Sequence, residues 1–188
     1  MAIENYIKTY FKVEEKYVSK IVEHFHPMQL PRNAYFSRKE NYCDQLAFVQ
    51  SGHIRIFNII KDKEITQWIS SPGQLITDLR SFVFNQRSRW YMQAIDDAQL
   101  LVITSKDFNN LEEMVPNWSK IEKQFIADCF ITLENRVHSH LSLSAEERYN
   151  HLYTYNPDIF ERVPQQYIAS MLGMTPETFS RIRKKINS

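Results

Sequence analysis

The chain has 188 residues, 43% of them hydrophobic and 24% charged, with a formal net charge of +1. This is the make-up of an ordinary globular protein with room for one large or two small domains; it excludes nucleic-acid binding through a global positive field, so such affinity must rest on local clusters. No apolar run reaches membrane-spanning length and the first residues lack a signal peptide's apolar core, which points to the cytoplasm, while two distant cysteines, Cys43 and Cys129, indicate neither a disulfide framework nor a four-cysteine iron–sulfur site.

The chain begins with a helical period. Tyr6, Tyr10 and Phe11, then Val18, Ile21, Val22 and Phe25, recur at spacings of three and four, and Pro27 and Pro31 are expected to end the run. From Ala34 to about Ile103 the pattern turns to short β-rich runs: 45–50, 53–60, 64–70, 90–95 and 99–104. Ser51-Gly52, Lys61-Asp62-Lys63 and Pro72-Gly73 part some of them, as in a compact antiparallel barrel or sandwich. The chain has only three glycines, and all three, Gly52, Gly73 and Gly173, fall at expected turns. The helical period returns after Lys106. A long helix from about Asn117 to His140 carries Trp118, Ile121 and Phe125 on one stripe. Ile126, Phe130, Leu133, Val137 and Leu141 form a second. One stripe can pack on the barrel while the other, through Ile126, Phe130, Leu133 and Val137, meets a partner helix in a homodimer. The alternative is a single helix buried within its own monomer. Ser144-Ala145-Glu146-Glu147 is a capping box that opens a helix to about Tyr155, and Pro157 stops it.

The last stretch, Val163 to Ile186, reads as a helix-turn-helix. Pro164 suits a first helical position, Gly173 supplies the turn, and Thr175 can cap a second helix with Pro176 just inside it. Ile168, Leu172 and Met174 are expected to face Phe179 and Ile182, with Ile186 on the same buried side. Glu177, Ser180, Arg181 and Lys184 fall on the opposite face. Glutamate accepts from cytosine N4, arginine donates two bonds to guanine, and serine serves either role. Arg183, Lys184 and Lys185 add phosphate-seeking charge at the far end. Thr175, Glu177, Thr178, Ser180, Arg181, Arg183, Lys184 and Lys185 are therefore the candidate DNA-binding residues, against the alternative of an amphipathic C-terminal helix with a solvated face.

A small β-barrel, a long helix and a terminal helix-turn-helix together resemble the CRP/FNR family of bacterial regulators, over essentially the whole chain. Glu177-Thr178-Phe179-Ser180-Arg181 is similar to the E-T-x-S-R recognition helix of the FNR branch. Phe48 to Ile56 resembles the family's F-x-x-x-G-x-[IV]-R-[IV] barrel hairpin, and Pro72 to Leu79 resembles the segment leading into its cyclic-nucleotide pocket. The resemblance implies an α+β chain in three parts. Residues 1–110 would be a jelly-roll sensor barrel with N-terminal helices, 111–141 a dimerisation helix, and 142–188 a DNA-binding domain. It also implies a transcriptional regulator that binds a palindromic operator as a dimer, reads a TGA-like half-site through Glu177 and Arg181, and recruits or blocks RNA polymerase. Asp78, Leu79, Arg87, Ser88, Arg89 and Trp90 are the implied effector-pocket residues. Nucleotide-binding members carry Gly-Glu and Arg-Ser/Thr-Ala where this chain has Thr77-Asp78 and Arg87-Ser88-Arg89-Trp90. Cyclic AMP is therefore not the expected effector. No wing follows the recognition helix in this sequence, which implies fewer backbone contacts to DNA and a greater need for two protomers.

Other chemistry is weaker. His24 with His26, and His138 with His140, stand two apart, a spacing that does not converge two rings on one helix face. His53 and His151 show no carboxylate at a fixed spacing, so the histidines read as surface residues and no metal or catalytic site is assigned. Arg87 and Arg89 read equally well as a solvated basic loop, and Cys129 as a small apolar residue rather than a redox sensor. Two other readings stay open: a cupin-like barrel enzyme, and an effector-independent repressor acting by DNA occupancy alone.

Overall fold

The computed structural model describes residues 3–186. Two helices, α1 (Ile3–Phe11) and α2 (Glu15–Val22), precede the first strand. The expected single helical run is thus split, at Lys12, whose backbone takes a positive φ. Nor do the prolines mark a plain boundary. Pro27 lies inside β1 (His26–Leu30), so the barrel begins at His26 rather than Ala34. A proline is tolerated there because β1 is an edge strand, where a missing N–H need cost no ladder bond.

The remaining strands are β2 (Tyr35–Ser37), β3 (Gln45–Ser51), β4 (Ile54–Ile60), β5 (Lys63–Ser70), β6 (Leu75–Ile76), β7 (Tyr91–Ala94) and β8 (Ala98–Thr104). They form two four-stranded antiparallel sheets, ordered β1-β8-β3-β6 and β2-β7-β4-β5. Val49, Ile54, Ile56, Ile76, Met92, Leu100 and Val102 fill the space between them. The β3–β4 hairpin turns at Gly52, with φ +81, where a Cβ would stand 2.7 Å from Asp97 O and Ala98 Cα. Only glycine fits that position without displacing backbone. A short helix, α3 (Leu79–Phe84), interrupts the barrel after β6.

Below the barrel, α4 (Ser105–Met114) leads into the long helix α5 (Trp118–Ser142). Its two stripes separate as the spacing predicts. Trp118 and Phe125 are buried with Phe11, Phe48 and Phe108, and Ile121 packs against them. On the other face Ile126 is 37% exposed, Phe130 58%, Leu133 48%, Val137 51% and Leu141 83%, so among the described residues that stripe stays largely open. Reciprocal bonds then open α6 (Ala145–Tyr155): the Ser144 hydroxyl accepts from the Glu147 N–H, and the Glu147 carboxylate accepts from the Ser144 N–H at 2.7 Å. The chain closes with α7 (Ile159–Arg162), α8 (Gln165–Met171) and α9 (Pro176–Ile186). Pro164 stands one place outside α8, at its N-cap, rather than in its first turn.

Candidate nucleic-acid interface and barrel site

The turn between α8 and α9 is built from local bonds. Gly173, at φ +66, donates to Ser170 O at 3.1 Å, and Met174 donates to Ala169 O at 3.0 Å, the paired closure of a Schellman motif. The Thr175 hydroxyl accepts from the Thr178 N–H at 3.3 Å and caps α9. Ile168, Ala169, Leu172, Phe179 and Ile182 are buried together, and Met174 packs against them, as the spacing requires. Ile186 departs from expectation: it is 40% exposed at the end of the helix, past the last turn that α6 and α8 cover.

That packing orients α9. Glu177, Arg181, Lys184 and Lys185 are exposed, while Thr178, Ser180 and Arg183 are half-buried along its flank. Its own N–H and the Thr175 hydroxyl hold the Glu177 carboxyl below its usual range, keeping it an acceptor near neutrality. Lys185 forms an ion pair with Glu146 of α6 at 2.8 Å. Such exposed pairs are weak, so the ammonium can exchange this partner for a phosphate.

The helix-turn-helix is also seated on the barrel. β5 is an edge strand, and its Thr66 N–H donates to the Ser170 hydroxyl of α8 at 2.9 Å. Beside this bond the guanidinium of Arg55, only 2% exposed, lies 4.2 Å from the Phe57 ring centre and 3.7 Å from that of Tyr167 in α8. It donates to the Thr66 hydroxyl and the Glu64 carboxylate. Ile69 of β5 enters the same apolar cluster as Phe179 and Ile182. Sequence reasoning placed Arg55 only in a barrel motif and did not find this seam. Its partner lies on α8, more than a hundred residues along the chain.

In the barrel, Asp78 caps α3. Its carboxylate accepts from the Ser81 N–H at 3.2 Å, the Ser88 hydroxyl at 2.8 Å and the Arg89 N–H at 2.9 Å. Asp78 and Ser88 are 3% and 1% exposed. The structure therefore brings Asp78, Ser88 and the Arg89 backbone together. The other three stand apart: Leu79 is 40% exposed on α3, Trp90 packs against the barrel core, and Arg87 turns outward to donate to Glu40 O at 2.8 Å. Arg80, Arg87 and Arg89 border an open basic cleft of about 600 Å³ outside the barrel. His53 needs a correction. It is buried in the loop after β3, and its ring Nδ1 lies 3.0 Å from the Asp96 carboxylate, a partner that sequence spacing did not show.

The structure thus joins a two-sheet barrel, a long helix with an exposed apolar stripe and a helix-turn-helix with a polar outer face. Residues 27–113, somewhat under half of the chain, match the family described as the cyclic nucleotide-binding domain. FixK2 from Bradyrhizobium japonicum is similar in structure with a TM-score of 0.70 and 15% identity, covering 87% of this chain and 84% of that one. The c-di-GMP-responsive global regulator CLP of Xanthomonas campestris gives 0.68 and 16%, over 93% and 92%. A CRP/FNR-family protein from Eubacterium rectale gives 0.69 and 16%, over 97% and 88%. At these identities the likeness is one of fold. No curated protein matches the chain by sequence. Among the described residues, no helix is long and apolar enough to cross a membrane.

Proposed function

We propose that the chain is a DNA-binding transcription regulator of the CRP/FNR type, acting as a homodimer in the cytoplasm. The observation that carries this reading is the face of α9. Glu177, Ser180, Arg181 and Lys184 project from a helix whose opposite side is held by Phe179 and Ile182. In this reading residues 1–110 sense, 111–141 dimerise and 142–188 bind DNA. Ile126, Phe130, Leu133 and Val137 form the two-fold seam, because their apolar stripe stays largely exposed among the described residues. Pairing them sets two recognition helices on half-sites about one helical turn, roughly 34–36 Å, apart. Glu177 and Arg181 read base edges, with a TGA-like half-site expected from the family resemblance. Thr175, Thr178, Arg183, Lys184 and Lys185 hold the backbone, and RNA polymerase is the proposed downstream partner.

Selection of bound sequences from a random DNA pool, followed by titration of the winning site, tests this. Arg181→Ala should relax specificity at one base pair by about 1–3 kcal/mol, while Lys184→Ala should weaken all sequences and lower the salt slope by about one. Equal loss on operator and random DNA in Arg181→Ala would overturn the assignment of roles.

The effector is proposed not to be cyclic AMP. The Ser88 hydroxyl and Arg89 N–H, the donors that a cyclic phosphate would need beside Arg87, already serve the Asp78 carboxylate. A second anion there would face an uncompensated buried charge.

A further inference from the structure

A second cleft, of about 550 Å³, lies where α5, the end of β5 and the helices α6 and α8 meet. We propose that it binds a small organic anion with a flat unsaturated body and a single carboxylate or phosphate. The volume falls in the range of ordinary small-molecule sites. Two cations line it, Arg136 of α5 and Arg148 of α6, and no aspartate or glutamate does among the described residues. They differ in how they are satisfied. The Arg148 guanidinium donates to Leu172 O at 2.9 Å and Leu143 O at 2.6 Å, which anchors the wall of the cleft. The Arg136 guanidinium has no hydrogen-bond or ion-pair partner among the described residues; it lies over the ring of Trp68, 5.0 Å from its centre. Burial lowers its pKa from the ordinary arginine value, as befits a cation partly withdrawn from water. Such a group gains most from an anion brought to it.

The rest of the lining suits the body of the ligand. Trp68 adds aromatic wall beside the Arg136 guanidinium, and its indole N–H is already bonded to Gln74 Oε1 at 3.2 Å, so the ring is held in place. Tyr10 and Leu152 add apolar wall. Arg136 stands three residues, and so about 60° around the helix, from Leu133 of the exposed apolar stripe, so the cleft borders that stripe. One wall is barrel and long helix, and the other is the helix-turn-helix domain, so an occupant contacts both.

Calorimetric titration of the full chain with naphthalene-2-carboxylate, and with the neutral alcohol of the same shape, tests the proposal. We expect one carboxylate bound per chain below millimolar concentration, with the alcohol about tenfold or more weaker. A similar loss is expected in Arg136→Gln and no change in the exposed-surface control Lys20→Gln. Circular dichroism of the variants checks that they are folded. If Arg136→Gln is misfolded, the comparison of acid with alcohol on the unaltered chain decides alone. Equal binding of acid and alcohol, undiminished binding to folded Arg136→Gln, or no binding up to 1 mM (about the −4.1 kcal/mol level) would each overturn it.

Discussion

Replacing Asp78 by asparagine is the sharpest test of the barrel site, because it keeps the shape and removes the charge. One asparagine oxygen can still accept from the Ser81 N–H, now 3.2 Å from the carboxylate, and so preserve the cap of α3. The new amide nitrogen then points at the Ser88 hydroxyl and the Arg89 N–H. Ser88 can adapt, since its hydroxyl also lies 3.0 Å from Trp90 O and can donate there while accepting from the amide. Arg89 cannot adapt: its N–H meets a second donor. The loss is one charge-assisted bond and one donor left without a partner, about 2–4 kcal/mol together. In a chain of this size that lowers the melting temperature by roughly 4–15 °C. Urea unfolding followed by tryptophan fluorescence reads the change as a lower midpoint with unchanged slope. A loss below about 0.5 kcal/mol, the range of ordinary surface substitutions, would refute the carboxylate as the hub of this loop. The unaltered chain should show no saturable cyclic AMP isotherm. A micromolar, one-per-chain isotherm abolished by Arg87→Ala would refute the claim that the donor set is already occupied.

Gly52→Ala should destabilise the chain by about 2–5 kcal/mol, combining a positive φ with the 2.7 Å approach to Asp97 O and Ala98 Cα. Gly173→Ala, whose added Cβ would meet only the His140 ring at 3.4 Å, should cost about 1–2 kcal/mol; equal losses in chemical denaturation would show that the backbone contact is not the cause. Phe130→Glu should convert a dimer into a monomer in light scattering at micromolar concentration, and a monomeric unaltered chain would remove the proposed seam. Bonds from the Ser144 hydroxyl and backbone N–H hold Glu147 below its ordinary pKa, so its contribution is present above the ordinary glutamate range and lost as pH falls through the lowered value. Ser144→Ala should accordingly destabilise more at neutral pH than in acid, and an equal effect at both would count against the capping box.

What could be read from the sequence follows the range of the forces involved. The helix-turn-helix was legible because each part of it is local: Gly173 closes a bond to Ser170, Thr175 caps three residues ahead, and Phe179 and Ile182 repeat at helical spacing. The stripe from Ile126 to Leu141 was legible for the same reason. Strands β2 and β6 are too short to display an alternation, and β1 hides behind a proline that its edge position allows. Asp78 illustrates a different limit. The resemblance marked it as ligand-facing, yet its partners include Ser88, ten residues on across the α3 loop, and only the fold shows that they meet.

The seam between barrel and helix-turn-helix lay furthest from view, and its cause is general. An edge strand must find acceptors for its outward N–H groups or leave them to water. On β5 one of those groups, on Thr66, takes the Ser170 hydroxyl, 104 residues away. Arg55, buried on the adjacent strand, carries a charge that needs cover as well, and Tyr167 supplies a ring one helical turn from Ser170. Both demands come from the barrel, and α8 of the helix-turn-helix meets both. The position of the helix-turn-helix on the barrel is thus tied to the chemistry of one sheet edge. These contacts join β5 to α8, and the Gly173 turn joins α8 to α9, so the recognition helix is positioned from the barrel edge through α8.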